Sequence, residues 1–194
     1  MTEMDFIVSE NLSISPLYGL LKLTPQSGTM PDTHPGQFAR LKAGDTLNCM
    51  LPLGNSFTIP ENKNAKVLLV GGGVGVAPLL QLGKALSKLG KKVRFLLGAR
   101  SASDLLLLNE FMRWGEVYVS TEDGSEGEKG FVTQHSILNS PIDHIACCGP
   151  QPMMKAVAAI AKSKGINCEV SLENMMACGL GACLCCVEDT ADSG

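Results

Sequence analysis

Two hydrophobic rhythms divide this chain. From Lys66 onward, short apolar runs alternate with stretches of helical period. Val67-Leu68-Leu69-Val70 has no polar position, the pattern of a strand buried on both faces. Leu79, Leu82, Leu86 and Leu89 then recur at three- and four-residue spacing, which predicts an amphipathic helix. Further strands are predicted at Val93–Leu97, Val117–Ser120, Ile142–Cys147 and Cys168–Leu172. Between them, Ser103 or Asp104 caps a predicted helix through Phe111, and Pro152, near a first turn, opens another running to about Lys164. That alternation predicts an open, mostly parallel, doubly wound sheet. Residues 1 to about 62 read differently: Asp5–Val8, Tyr18–Leu23 and Thr46–Leu51 are short strand candidates punctuated by Pro and Gly. Pro60-Glu61-Asn62-Lys63-Asn64 reads as a linker, and the Gly- and Cys-rich stretch from Glu173 follows neither rhythm.

Chemistry enters first at Gly71-Gly72-Gly73-Val74-Gly75-Val76-Ala77-Pro78, which joins a predicted strand to a predicted helix. Glycines there let a backbone approach a phosphate, and unpaired amides at a helix N-terminus point at it. The spacing is not G-x-G-x-x-G, because position 76 is Val. A tight strand–helix corner is the plain structural alternative. Two other strand ends are expected to converge on the same crevice: Cys148-Gly149-Pro150 and Glu122-Asp123-Gly124. An acidic pair near an adenosine ribose would accept from its hydroxyls and repel a 2′-phosphate, favouring NAD(H) over NADP(H); ordinary solvated turn residues would look the same.

Second, four of the eight cysteines lie between Cys178 and Cys186. Cys178-x4-Cys183-x2-Cys186 is three-quarters of the plant-type ferredoxin spacing for a [2Fe–2S] cluster, and Gly179 and Gly181 suit a loop folded round one. Zinc is the rival metal, but His34, His135 and His144 are scattered elsewhere. The fourth ligand is Cys185, an earlier cysteine or a residue beyond Gly194; the turn-like ending Asp192-Ser193-Gly194 favours the last.

Composition narrows the partners rather than the chemistry. A net charge of −3 gives no electrostatic reason to expect nucleic acid or an anionic membrane. The longest apolar stretch, Val67 to Leu80, is interrupted by four glycines and a proline and falls short of the roughly 20 residues of a spanning helix. The acidic start, Met1-Thr2-Glu3-Met4-Asp5, does not look secretory, so a cytoplasmic location is expected.

Further segments complete a pattern: Pro35-Gly36-Gln37-Phe38, Pro52-Leu53-Gly54-Asn55, Leu97-Gly98-Ala99-Arg100, Cys148-Gly149-Pro150-Gln151-Pro152-Met153-Met154 and Ser171-Leu172-Glu173. With the glycine turn and the cysteine loop, they resemble the iron–sulfur flavoprotein electron-transfer subunit of type B dihydroorotate dehydrogenase, within the wider ferredoxin reductase group. The resemblance implies an FAD-binding β-barrel over residues 1–62, a nicotinamide-binding α/β domain over 63–172 and a [2Fe–2S] loop over 173–194. It implies that Gly71, Gly72, Gly73, Gly75, Pro78, Glu122, Cys148, Gly149 and Pro150 bind NAD(H), that Pro52, Leu53 and Gly54 serve the flavin, and that Cys178, Cys183 and Cys186 hold the cluster. It also implies a partner, an FMN-containing catalytic subunit that interconverts dihydroorotate and orotate, in a heterotetramer. No catalytic acid or base is expected of this chain. A related reductase subunit serving ferredoxin or sulfide, and a flavin-free module, are the alternatives. The chain departs from the family in front: Phe38-Ala39 runs directly into Arg40-Leu41-Lys42-Ala43-Gly44-Asp45, without the Arg-x-x-Ser-type flavin segment. Its front segment is therefore expected to be too short for a six-stranded barrel of about 5–6 residues per strand.

Overall fold

The six-residue strand β5 (Val67–Gly72) has every residue buried, and its side chains divide between the two faces of the sheet it crosses. Val67 and Leu69 enter one core; Leu68 and Val70 enter the other. The same division continues through β6 (Val93–Ala99), where Phe95 and Leu97 face the first core and Leu96 the second, and β9 (His144–Cys148), where Ala146 and Cys148 oppose Ile145 and Cys147. Continuous apolar runs form these strands because both faces are covered.

The computed structural model describes residues 2–14, 19–35, 37–42 and 47–172. Strands β5, β6, β7 (Glu116–Thr121), β8 (Glu128–Lys129), β9 and β10 (Asn167–Ser171) form one parallel sheet in the order β10-β9-β5-β6-β7-β8. Helix α1 (Val76–Lys88) covers the first face, burying Val76, Leu79, Leu80, Leu82 and Leu86 on one stripe. Leu89, expected on that stripe, instead ends the helix and is exposed. Helix α3 (Gln151–Lys164) covers the second face through Met154, Val157 and Ala161; Pro152 stands in its first turn and Gly165, at φ +66°, stops it.

The helix expected from Ser103 or Asp104 is broken. A 3-10 turn over Ala102–Asp104 ends in extended chain, Leu107 adopts φ +56°, and only then does the short α2 (Leu108–Met112) begin. Leu105-Leu106-Leu107-Leu108 explains the break: a straight helix would turn some of these away from the core, whereas the kinked chain packs all four against it.

The front of the chain forms an antiparallel sheet of β1 (Thr2–Ser13), β2 (Gly19–Pro25), β3 (Phe38–Lys42) and β4 (Leu47–Leu53), ordered β2-β1-β4-β3. Among the described residues this sheet has four strands, fewer than the six of a full barrel, in keeping with the short front segment. Strand β3 was not expected. It runs straight through Phe38-Ala39-Arg40, and its register against β4 slips between Phe38 and Arg40. Tyr18 and Thr46, placed in strands by the sequence, lie outside the described residues.

The connection between the sheets is anchored at several points. Phe57 is buried in the α1-side core, and its amide donates to the Pro35 carbonyl at 2.9 Å. The Thr58 amide donates to the Glu169 carboxylate on β10 at 2.8 Å, and Lys91 Nζ to the Asn62 carbonyl at 2.8 Å.

Candidate functional site

Strand order reverses at the centre of the parallel sheet. From β5 the chain proceeds outward to β6, β7 and β8, then returns to β9 on the other side of β5. Crossover segments leave from opposite faces at this point and a crevice opens above the carboxyl ends of the strands. A cleft of about 610 Å³ lies there, within the usual ligand-site range of roughly 300–1,000 Å³. It is lined by Gly72, Gly98 and Ser120 at the ends of β5, β6 and β7. Pro150, Pro152, Met153 and Ala156, at the start of α3, also line it, as do Gly130–Thr133. Arg100, Asp104 and Glu122 supply its charged groups.

The glycines of the turn do different jobs. A Cβ on Gly71 would meet Leu79 and Val76 at 2.9–3.0 Å, and one on Gly72 would meet the Met153 sulfur at 2.8 Å. A Cβ on Gly75 would lie 2.6 Å from the backbone of Cys148 and Gly149. These three let strand, helix and the β9 turn close on one another. Gly73 differs: it is exposed, lines the cleft, has φ +56° and would have nothing within 4 Å of a Cβ. It is the position of the turn where a ligand's backbone-binding group can approach without displacing protein atoms.

The structure separates the other expected site residues into groups. Pro150 and Glu122 line the cleft. Gly149 stands behind it, packed on the Gly72 backbone, and Cys148 is buried in the α1-side core. Pro78 is half-buried in the first turn of α1. Leu53 is buried at the end of β4; Gly54, at φ +77°, offers its carbonyl to the Gln37 amide at 3.3 Å; neither lines the cleft, and the side chain of Pro52 is not among those described. Cys178, Cys183 and Cys186 lie outside the described residues, among which no cluster of metal-ligating side chains occurs.

The carboxylate of Asp123 is engaged within its own turn. It accepts from the Ser125 hydroxyl at 2.6 Å and the Ser125 amide at 2.9 Å, and these bonds hold its pKa below the usual carboxylate value. Glu122 alone of the pair faces the cleft. Sequence reasoning missed Phe131, Val132, Thr133 and Ala156 as lining residues. Phe131 carried the one available signal, an aromatic side chain just after Gly130 and 59% exposed in the structure.

The wall that includes Phe131 is fixed from behind. Ser120 Oγ donates to the Gly130 carbonyl at 2.7 Å, and the Gly130 amide to Thr121 O at 2.8 Å. Both the hydroxyl and the amide of Ser136 donate to Glu128, holding that carboxyl below its ordinary range. His135 is buried beside them, with Nδ1 accepting from the Ile137 amide at 3.0 Å. Burial lowers its pKa, and the Glu128 charge opposes that only in part.

This arrangement has relatives. Residues 69–159 match the family described as the oxidoreductase NAD-binding domain. The whole chain is similar to the NADH-dependent reduced ferredoxin–NADP oxidoreductase structure, with TM-score 0.79 and 26% identity over 96% of this chain and 82% of that one. The chain has the ferredoxin reductase-like fold. It is 43% identical, over 155 residues, to a dihydroorotate dehydrogenase B electron transfer subunit of Fusobacterium nucleatum. It is 44% identical, over 161 residues, to the subunit of the same name in Listeria welshimeri. These matches take in 77% and 80% of this chain but only 59% and 61% of the relatives, so the chain spans about three-fifths of their length. The flavohaem-like FAD/NAD-binding domain of a nitric oxide dioxygenase from Vibrio cholerae, 18% identical with TM-score 0.70, shares the fold alone. The ferredoxin reductase-like architecture, an antiparallel sheet followed by a doubly wound parallel sheet, is thus the one expected from sequence. No helix among the described residues is long and apolar enough to cross a membrane.

Proposed function

We propose that this chain binds NADH in the cleft above β5 and β9 and serves as the electron-transfer subunit of a dihydroorotate dehydrogenase of type B. The observation that carries this reading is the cleft itself: it sits where strand order reverses, bordered by Gly73, with Gly72 and Gly98 in its floor at the ends of β5 and β6. The resemblance to the named electron-transfer subunits supports the choice of reaction.

In this reading Gly73 and the first turn of α3 receive the pyrophosphate, where a helix N-terminus presents amides and the positive end of its dipole. Glu122 accepts from the adenosine ribose hydroxyls and repels a 2′-phosphate. Gly72 forms part of the floor, and Gly71, Gly75, Pro78, Cys148 and Gly149 act behind it, holding the two strand ends close together. Pro52, Leu53 and Gly54 support FAD, and Cys178, Cys183 and Cys186 ligate a [2Fe–2S] cluster. When bound, NADH would supply a hydride, FAD would accept its two electrons and could release them one at a time, and a cluster on the three cysteines would be a one-electron carrier. The receiving partner is an FMN-containing catalytic subunit that interconverts dihydroorotate and orotate. Residues 1–62, 63–172 and 173–194 divide these tasks. A cytoplasmic setting belongs to the same proposal, in keeping with the free thiols of Cys147 and Cys168.

The test is a measurement of flavin, iron and acid-labile sulfide per chain on anaerobically purified protein, together with NADH titration. One FAD and one [2Fe–2S] cluster, with saturable NADH binding, is the expected result. Iron without flavin removes the hydride-to-flavin step and leaves a flavin-free module. Absence of NADH binding overturns the reading. Cys183→Ser is expected to lose the iron while keeping NADH affinity; iron retained at the original stoichiometry would remove Cys183 from the ligand set.

A further inference from the structure

The charged end of the cleft is built from two loops that backbone pairing joins only at their first residues. One, residues 100–104, leaves β6 and carries Arg100 and Asp104; the other, residues 122–127, leaves β7 and carries Glu122. The strand ladder reaches just beyond β6 and β7, through Glu122 N to Ala99 O at 3.1 Å and Asp123 N to Arg100 O at 3.2 Å. Past that, the loops are joined through side chains. The Ala102 amide donates to Ser125 Oγ at 2.8 Å, and Ser125 Oγ donates in turn to Asp123 Oδ1 at 2.6 Å. A hydroxyl has one proton to give, and here it goes to the carboxylate, leaving a lone pair for the amide.

This relay has a direction. An ionised Asp123 orients the Ser125 hydroxyl, which then accepts from the opposite loop; the Ser125 amide, also bonded to Asp123 at 2.9 Å, fixes the turn that makes this possible. Neither Asp123 nor Ser125 lines the cleft, whereas Arg100 and Glu122, on either side of the link, do. The 100–104 loop is stiffened within itself, since Ser101 Oγ donates to Asp104 Oδ2 at 2.8 Å. Movement of one loop would therefore carry its charged groups as a unit.

We infer that Asp123 and Ser125 are positioning residues: they clasp the two loops, set the separation of Arg100 and Glu122, and through it the discrimination between NADH and NADPH. This rests on the reading of the cleft as a nicotinamide dinucleotide site. A clasp predicts coupling. Ser125→Ala and Asp123→Ala each break the same link, so either is expected to weaken NADH binding by about three- to tenfold, the worth of one net hydrogen bond. Each should also narrow the ratio of NADPH to NADH dissociation constants. The double variant should be no worse than the singles, because the two residues form one unit. Ser125→Thr, which keeps the hydroxyl, should restore both affinity and ratio.

The experiment is equilibrium titration of the full chain and these four variants with NADH and with NADPH, followed by nucleotide fluorescence, with circular dichroism of each variant as the folding control. Unchanged NADH affinity and unchanged ratio in folded Ser125→Ala would overturn the clasp, as would additive losses in the double variant. If the single alanine variants do not fold, failure of Ser125→Thr to retain the wild-type ratio overturns it instead. A wild-type chain that binds neither nucleotide sinks the site reading itself; a wild-type chain that binds NADH beside indifferent variants sinks only the clasp.

Discussion

The parallel and antiparallel sheets are made from comparably apolar strands, yet they use them differently. In the parallel sheet, Leu68, Leu69, Val70, Phe95, Leu96 and Ile145 are all wholly buried between two helix-covered faces. In the antiparallel sheet, Phe6 is buried with Met4 and Leu23 against it, and Leu53 is buried at the end of β4, while Ile7, Val8, Leu12, Leu20 and Leu21 face water. Ile7 and Val8 are successive residues of one strand and so project from opposite faces. Hydrogen-bonded pairing gives the antiparallel sheet its shape, but burial, at roughly 1.5–3 kcal/mol for a large side chain, gives the parallel sheet its rigidity. The cleft lies entirely on the rigid side. A site that must hold a flexible dinucleotide in one pose gains from standing on strands that cannot move independently.

Four experiments would break or sharpen that contrast. The largest effect is expected from Phe95→Ala. This ring is wholly buried, meets Phe111 edge-on at 4.9 Å between centroids and packs on Gly83. Its loss should cost about 3–5 kcal/mol, read from urea denaturation followed by the fluorescence of Trp114, the one tryptophan of the chain. Gly75→Ala comes next: the added methyl meets the Cys148 and Gly149 backbone, and overpacking of this kind costs about 1–3 kcal/mol. It should also weaken NADH binding, since it pushes the ends of β5 and β9 apart; full affinity at reduced stability would separate the corner from the site.

A smaller effect is expected from pH. Burial lowers the pKa of both His135 and His144 in the folded chain. The unfolded chain then binds more protons than the folded one, so stability should fall as pH drops below about 6.5, the ordinary histidine value. Both histidines belong to the parallel half, and a Trp114-detected midpoint that does not move between pH 7.5 and 5.5 would contradict their burial as neutral groups. Least of all is expected from Leu12→Ser and Leu20→Ser. Both positions are about half exposed, and such surface changes usually stay within about 0.5 kcal/mol. A loss of several times that would show that the antiparallel sheet has a covered face in solution.

Legibility in the sequence followed the same divide. β5, β6, α1 and α3 could be read because burial on one or both faces forces a regular apolar period on the chain. Strand β3 could not, since Phe38-Ala39-Arg40-Leu41-Lys42 has no regular apolar alternation, and its pairing with β4 slips register between Phe38 and Arg40. Strand β8 spans two residues, too few for any period. Around the cleft, the glycine turn and Pro150 stood out in the sequence because their signals are local. Phe131 and Ala156 were not, because what places them in the cleft is the packing of elements distant in the chain. The bonding of Asp123 to Ser125 was not legible for a related reason: a carboxylate's sequence neighbours do not say whether a hydroxyl two residues later will occupy it.

The bond from Thr58 to Glu169 joins residues 111 apart in the chain. On a ribosome, Thr58 emerges long before its acceptor exists, by an interval on the order of ten seconds at ordinary elongation rates. The wall of the cleft contributed by α3 is equally late. The crevice is therefore complete only once residues as far as α3 have emerged, however early the strands beneath it are made.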